Sequence, residues 1–163
     1  MYPLSLTELL LRLATAVVCG AVIGLNRDLR NKPAGLRTFG LVGLGSAIVT
    51  LTIVQMGGGA PDAASRVIQG VVTGIGFLGA GLILHRGQPA KVAGLTTAAA
   101  VWLTAGLGVA AGAGQLAIAW LSLLLTMIVL LAGRPVERVL ARWFGRRRPA
   151  NGENKNRAQP PDD

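Results

Sequence analysis

The sequence predicts an all-α membrane protein, a compact bundle of about five transmembrane helices with an amphipathic interfacial helix after it. Two observations predict this fold class. Of the 163 residues, 52% are hydrophobic and only 14% are charged, which is too apolar a composition for an ordinary soluble domain. The apolar residues also form five long stretches, each close to the roughly 20 residues that a helix needs to cross a bilayer.

The predicted transmembrane bundle occupies residues 1–133. Its five spans are about 5–25, 38–55, 66–85, 95–111 and 116–132. Two pairs of glycines at i, i+4 spacing, Gly20 with Gly24 and Gly108 with Gly112, predict close contacts between helices, because a missing side chain lets two backbones approach. The fifth span is rich in Leu, Ile and Val, which predicts an outer helix facing the lipid.

The third span is unusual because glycine recurs along it, although each glycine costs about 1 kcal/mol relative to Ala in a helix. This predicts either tight packing against neighbouring helices or a broken helix that holds an ion. The residues concerned are Gly70, Gly74, Gly76, Gly79 and Gly81. Residues 74–79 also match GxGxxG, but the flanks are continuous apolar sequence rather than a strand and a helix, so we reject a nucleotide site.

The formal net charge is +9, and most Lys and Arg residues lie between spans or near the C-terminus. This distribution follows the positive-inside rule, so it predicts cytoplasmic loops and not nucleic-acid binding. The N-terminus is then outside and the C-terminus is in the cytoplasm. In the first loop, Arg27, Asp28 and Arg37 are predicted to form a charge network at the inner mouth of the bundle, since a carboxylate among cations favours such pairing.

Two pairs of polar residues lie near the starts of the first and fourth spans. Glu8 and Arg12 have i, i+4 spacing, and two interpretations stay open: a pair that reaches to the outer interface, or a functional pair that faces the bundle. Thr96 and Thr97 open the fourth span, where their hydroxyls can cap the helix or bond to a carbonyl of the preceding turn.

Residues that carry catalytic or metal chemistry are sparse. Cys19 is the only cysteine and His85 is the only histidine; we expect Cys19 to be a small buried residue and His85 to mark the interfacial end of the third span. With no Cys/His cluster and no paired carboxylates, the sequence predicts no catalytic residue, no bound metal and no cofactor. We therefore expect that the protein is not an enzyme.

The C-terminal sequence changes character after the fifth span. Residues 134–148 predict a basic amphipathic helix with Trp143 and Phe144 on its apolar face, of the kind that lies on an anionic leaflet. Residues 149–163 are polar and without apolar periodicity, so they are predicted to be disordered.

Five short motifs occur in an order that resembles the N-terminal membrane domain of the MgtC/SapB family. They are Leu-Arg-Leu at 11–13, Gly-Leu-Asn-Arg-Asp at 24–28, Ala-Gly-Leu-Arg-Thr at 34–38, Gly-Ile-Gly-Phe-Leu-Gly-Ala-Gly at 74–81, and Gly-Leu-Thr-Thr-Ala-Ala at 94–99 before Trp102. The resemblance covers roughly residues 8–135. It departs from the family at Asn26, where many members have Glu, and after Gly145, where the founding members continue into an ACT-like domain.

The resemblance implies a bacterial inner-membrane protein that is linked to magnesium homeostasis and acts by binding other membrane proteins, the F-type ATP synthase among them. Two functions therefore stay open. One is a regulatory or interaction protein that uses its glycine faces and the loop 26–37. The other is a small magnesium transporter or channel with its site at Gly74–Gly81. The expected partners are the lipid bilayer and a membrane protein; a homo-oligomer also stays open.

Overall fold

The structure, a computed structural model, describes residues 4–56, 61–86 and 91–143. It confirms the predicted all-α membrane fold, because five helices are long and apolar enough to cross a membrane. In chain order the elements are α1 (Leu6–Asp28), α2 (Leu36–Gln55), α3 (Pro61–Leu82), β1 (Leu84–Arg86), β2 (Lys91–Ala93), α4 (Leu95–Gly112) and α5 (Leu116–Trp143).

The chain divides into two units, Met1–Met127 and Ile128–Asp163. The first unit contains α1 to α4, the two short strands and the first part of α5. Within it, α4 is the central helix and contacts α1, α2 and α3. Half of the apolar stretch of α4 is buried, against 6% of that of α3. The fold is therefore organised around α4.

Close packing between α1, α2 and α4 depends on glycines at the contacts. A Cβ atom on Gly20 would lie 2.3 Å from the carbonyl oxygen of Phe39, and one on Gly108 would lie 2.3 Å from that of Gly43. A Cβ atom on Gly24 would lie 2.6 Å from the Cα atom of Leu36, and one on Gly112 would lie 2.5 Å from the carbonyl oxygen of Ala47. The predicted contacts at the two i, i+4 glycine pairs are thus confirmed.

The glycines of α3 lie elsewhere, and the structure contradicts tight packing of this helix within the chain. A Cβ atom on Gly70, Gly74, Gly76 or Gly81 would have no described neighbour within 4 Å, and one on Gly79 would make only an ordinary contact of 3.7 Å with the Cβ atom of Ala98. The buried face of α3 carries Ile75 and Gly79, four residues apart, so most of the glycines point away from α4. Nor is α3 broken: it is one helix from Pro61 to Leu82.

The link between α3 and α4 also differs from the prediction that His85 ends a helical span. The helix stops at Leu82, and His85 lies in β1, where it pairs with Val92 of β2 in an antiparallel ladder. Gly94 is the N-cap residue of α4 and has φ at +96°, and a Cβ atom there would lie 2.0 Å from the carbonyl oxygen of Leu82. A residue other than glycine would be strained by both its backbone angle and this contact.

In the C-terminal unit, the predicted helix of 134–148 is the continuation of α5 as far as Trp143 rather than a separate element. Pro135 lies within it. Proline lacks the N–H that would bond to the preceding turn, yet membrane helices tolerate this loss. Val136, Val139 and Leu140 are exposed on this segment. Residues 144–148 and the predicted disordered tail of 149–163 lie outside the described residues.

Burial of Cys19 allows a direct check of the α1 packing. Its side chain is completely buried, as predicted, whereas that of its neighbour Val18 is 43% exposed. We expect Cys19 in the folded protein in detergent to resist labelling by N-phenylmaleimide, and to react once SDS unfolds the bundle. A Val18→Cys, Cys19→Ala variant is the matched control and should label without unfolding. Equal labelling rates for the two proteins would contradict this packing.

Candidate functional site at the basic end of the bundle

The turn between α1 and α2 is held by the carboxylate of Asp28. The backbone N–H of Leu36 donates to Asp28 Oδ2 at 2.8 Å, so the side chain bonds an N–H at the start of α2 that has no partner in its own helix. Gly35 passes so close that a Cβ atom there would lie 1.7 Å from Asp28 Oδ1. The turn also contains Asn31 and Ala34 at positive φ, +50° and +61°. We name the end of the bundle that carries this turn the basic end.

Arg27 ties α1 to α4 at the basic end. Its guanidinium donates to the hydroxyl oxygen of Thr97, a residue seventy positions further along the chain. Arg27 is only 4% exposed, and Thr97 is completely buried. Because Arg27 lies in the last turn of α1, its charge also interacts favourably with the negative end of that helix dipole.

The predicted charge network of Arg27, Asp28 and Arg37 stays a prediction. Among the described residues the one ion pair within 4.0 Å is that of Glu8 and Arg12. Asp28 instead bonds the backbone of Leu36, the guanidinium of Arg27 reaches Thr97, and Arg37 is exposed on α2. The three residues share one end of the bundle.

Asn26, which the sequence analysis noted as a departure from the family, is a further functional candidate. It is 8% exposed, and its side-chain oxygen has no hydrogen-bond partner among the described residues. Such an orphan acceptor normally costs about 1–3 kcal/mol. The sequence feature that points to Asn26 is its position beside Arg27 in the Gly-Leu-Asn-Arg-Asp motif. We define Asn26, Arg27, Asp28 and Thr97 as the polar cluster; Thr96 is exposed and does not join it.

The opposite end of the bundle is fixed by Arg12. Its Nη1 donates to the carbonyl oxygen of Gly112 at 3.1 Å, and Nη2 pairs with the carboxylate of Glu8. The Arg12 side chain is 11% exposed and that of Glu8 is 43% exposed. Gly114, at φ +81°, lies close to the guanidinium. Arg12 therefore faces the bundle and binds an end carbonyl of α4, which is a structural role.

The chemistry available at the basic end is that of hydrogen bonding and positive charge. No group of three or more His, Cys, Asp or Glu residues that could hold a metal ion occurs in the parts of the chain that the structure describes. Buried Thr50 and Thr104 bond to carbonyls of their own helices, Ser46 and Ala100, and so offer no free donor to a ligand. The arrangement suits holding helices in place and presenting a basic loop.

Five long apolar helices, with buried polar contacts at both ends of the bundle, define a multi-pass membrane protein. Residues 13–139 match the MgtC family. The chain belongs to that family.

Three similar proteins illustrate its relatives. Protein SrpB of Synechococcus elongatus is 39% identical over 89% of this chain and 90% of its own length. Protein MgtC of Salmonella typhimurium is 44% identical over 65% of this chain, and the putative magnesium transporter YhiD of Escherichia coli is 40% identical over 76%. The matches span only 44% and 59% of those two proteins. No solved structure matches the chain.

Proposed function

We propose that this protein is a regulatory or interaction protein of the bacterial inner membrane, linked to magnesium homeostasis, and neither an ion carrier nor an enzyme. The observation that carries the proposal is the sign of the charge inside the bundle. Among the described residues, the one charged side chain that is buried is that of Arg27, a cation. A buried cation offers no ligand to Mg²⁺, which is bound in proteins through oxygen atoms, usually with one or two carboxylates among them.

The distribution of carboxylates supports the same conclusion. Mg²⁺ sites generally use one or two carboxylates and keep several bound waters. No Asp or Glu occurs between Asp62 and Glu137, a stretch that includes all of α4 and nearly all of α3. The glycines of α3 provide no substitute, because an unbroken helix has no midplane ends or unwound carbonyls for an ion.

The proposed partner is another membrane protein, and the F-type ATP synthase is the one that the family resemblance implies. The polar cluster holds α1, the turn and α4 together, which fixes the shape of the basic loop 29–35. Arg30, Lys32 and Arg37 give this loop and the start of α2 a positive surface. The proposed topology, with the C-terminus in the cytoplasm, places this surface on the cytoplasmic side of the inner membrane.

A magnesium transporter is the alternative, since one relative carries the name of a putative magnesium transporter. Purified protein in liposomes that enclose a magnesium-sensitive dye separates the two functions. We expect Mg²⁺ entry equal to that of protein-free vesicles, with an added ionophore as the positive control. Entry that exceeds the protein-free rate and saturates with Mg²⁺ would overturn the regulatory proposal.

The partner itself is sought by cross-linking in native bacterial membranes followed by purification of the chain. We expect a membrane protein to be recovered, and its yield to fall when Lys32 and Arg37 are both changed to Gln. Neutralising Arg66 and Arg138, which lie outside the loop, is the control and should leave the yield unchanged. If both double variants recover the same proteins as the unaltered chain, the basic loop is not the binding surface.

A further inference from the structure

The first unit has an open apolar groove between α2 and α3. Its volume is about 600 Å³, within the usual range of ligand sites. On one side it is lined by α2 from Arg37 to Val49, and on the other by α3 from Gly70 to Leu78. At 1.5 Å per residue, the α2 side is about 18 Å long. That length is close to half of the roughly 30 Å hydrocarbon core, the depth of one leaflet.

A positively charged side chain lies at one end of this groove. Arg37 lines it at the basic end, where Thr38 adds a hydroxyl. Both side chains are exposed, and Arg37 forms no ion pair within 4.0 Å with any other residue in the described parts of the chain. An apolar groove of one-leaflet depth with a guanidinium at its mouth is complementary to a molecule with an anionic head and a hydrocarbon tail.

A second, smaller groove begins beside the first. Its volume is about 360 Å³, and it runs among Phe77, Leu82 and Val101 near the basic end. The two grooves share three lining residues, Thr38, Val42 and Leu78. They therefore meet in a common region next to Arg37, which suits a molecule with two hydrocarbon chains and one head group.

We propose that the α2–α3 groove binds an acidic phospholipid of the leaflet at the basic end, with its phosphate on Arg37 and Thr38 and its acyl chains in the two grooves. The glycines of α3 then have a role: Gly70 and Gly74 line the groove, and because they carry no side chain they leave its space to an acyl chain.

A helix from a second copy fits this surface less well. Close helix pairs need a continuous stripe of small residues. On a helical wheel Phe77 falls on the face of Gly70 and Gly74, and it is 82% exposed, so it interrupts the stripe.

Native mass spectrometry of the delipidated protein tests the proposal, with phosphatidylglycerol and phosphatidylcholine added at equal concentration. We expect phosphatidylglycerol to bind in preference. Arg37→Gln should lower that preference about five-fold, the effect of one cation beside an anionic head group. Arg30→Gln is the matched control, because it removes a cation from the same turn but not from the groove, and it should change the preference little.

A second pair of variants tests the groove itself. Gly74→Leu fills it and should lower the binding of both lipids, whereas Gly106→Leu adds the same side chain on an exposed part of α4 and should not. Circular dichroism should show that both variants keep their helices, since neither glycine has a close described neighbour. Equal binding of the two lipids by the unaltered protein, unchanged binding by Gly74→Leu, or a dimer that disappears with Gly74→Leu would each overturn the proposal.

Discussion

Gly108→Ala should destabilise the bundle, whereas Gly106→Ala, two residues earlier on the same helix, should be neutral or stabilising. A methyl group on Gly108 would lie 2.3 Å from the carbonyl oxygen of Gly43 and 2.8 Å from Cβ of Ser46. Neither the backbone nor a Cβ atom can rotate away, so α2 and α4 must separate. Overpacking of this kind costs about 1–3 kcal/mol, often with wider rearrangement.

At Gly106 the balance is reversed. An added methyl group there has no described neighbour within 4 Å, and alanine is favoured over glycine in a helix by up to about 1 kcal/mol. Each variant adds one methyl group to the same helix, so the two differ only in where that group lies. Both variants gain the helix propensity of alanine, so their free energies of unfolding should differ by the cost of overpacking, about 1–3 kcal/mol, with Gly106→Ala the more stable.

Unfolding by SDS in mixed micelles, followed by circular dichroism and tryptophan fluorescence, measures this difference. Gly112→Ala should behave like Gly108→Ala, since its methyl group would lie 2.5 Å from the carbonyl oxygen of Ala47. If Gly106→Ala and Gly108→Ala have the same stability, α2 and α4 do not pack as closely as the structure shows, and α4 is not the centre of the fold.

Sequence reasoning identified the five spans and two of the close helix contacts for a simple physical reason. Crossing a bilayer requires a long apolar stretch, which is visible in the sequence without knowledge of any neighbour. Gly20, Gly24, Gly108 and Gly112 lie at i, i+4 spacing, so each pair shares one face of its helix. That local rule predicts a surface suited to close packing. The contact forms if another helix lies against that face.

The same rule predicted tight packing of the α3 glycines, which the structure does not show within the chain. Glycine content does not say which face of a helix meets a neighbour. The neighbour is decided by the whole bundle, which places Ile75 and Gly79 against α4 and leaves Gly70 and Gly74 outside. The contact of Arg27 with Thr97 escaped prediction for a related reason. Both residues were singled out, but seventy residues separate them and no local pattern joins them.

Thr97→Val should have the second large effect. Valine has nearly the same shape as threonine but no oxygen, so the guanidinium of Arg27 would lose a buried acceptor. A hydrogen bond to a charged group contributes about 1.5–3 kcal/mol. Thr97→Ser is the matched control, since it keeps the hydroxyl and loses one methyl group, at a cost of about 1 kcal/mol. We expect Thr97→Val to unfold at lower SDS content than Thr97→Ser.

A double-mutant cycle isolates the pair from the other contacts of each residue. Arg27→Met and Thr97→Val are measured singly and together, and the coupling energy is the part of the two effects that is not additive. We expect a coupling of about 1.5–3 kcal/mol, the range for a hydrogen bond that involves a charge. A coupling near zero would show that the two side chains do not act together in the membrane.

The cycle also bears on the role of the basic loop. Arg27 lies one residue before Asp28, whose carboxylate holds the first turn of α2 through Leu36. Loss of the Arg27–Thr97 contact should therefore loosen the loop as well as α4. We expect hydrogen exchange at the backbone N–H of Leu36 to accelerate in Thr97→Val and to stay slow in Thr97→Ser. Unchanged exchange would mean that Asp28 holds the loop independently of α4. The Asp28–Leu36 and Arg27–Thr97 contacts of the polar cluster would then act independently.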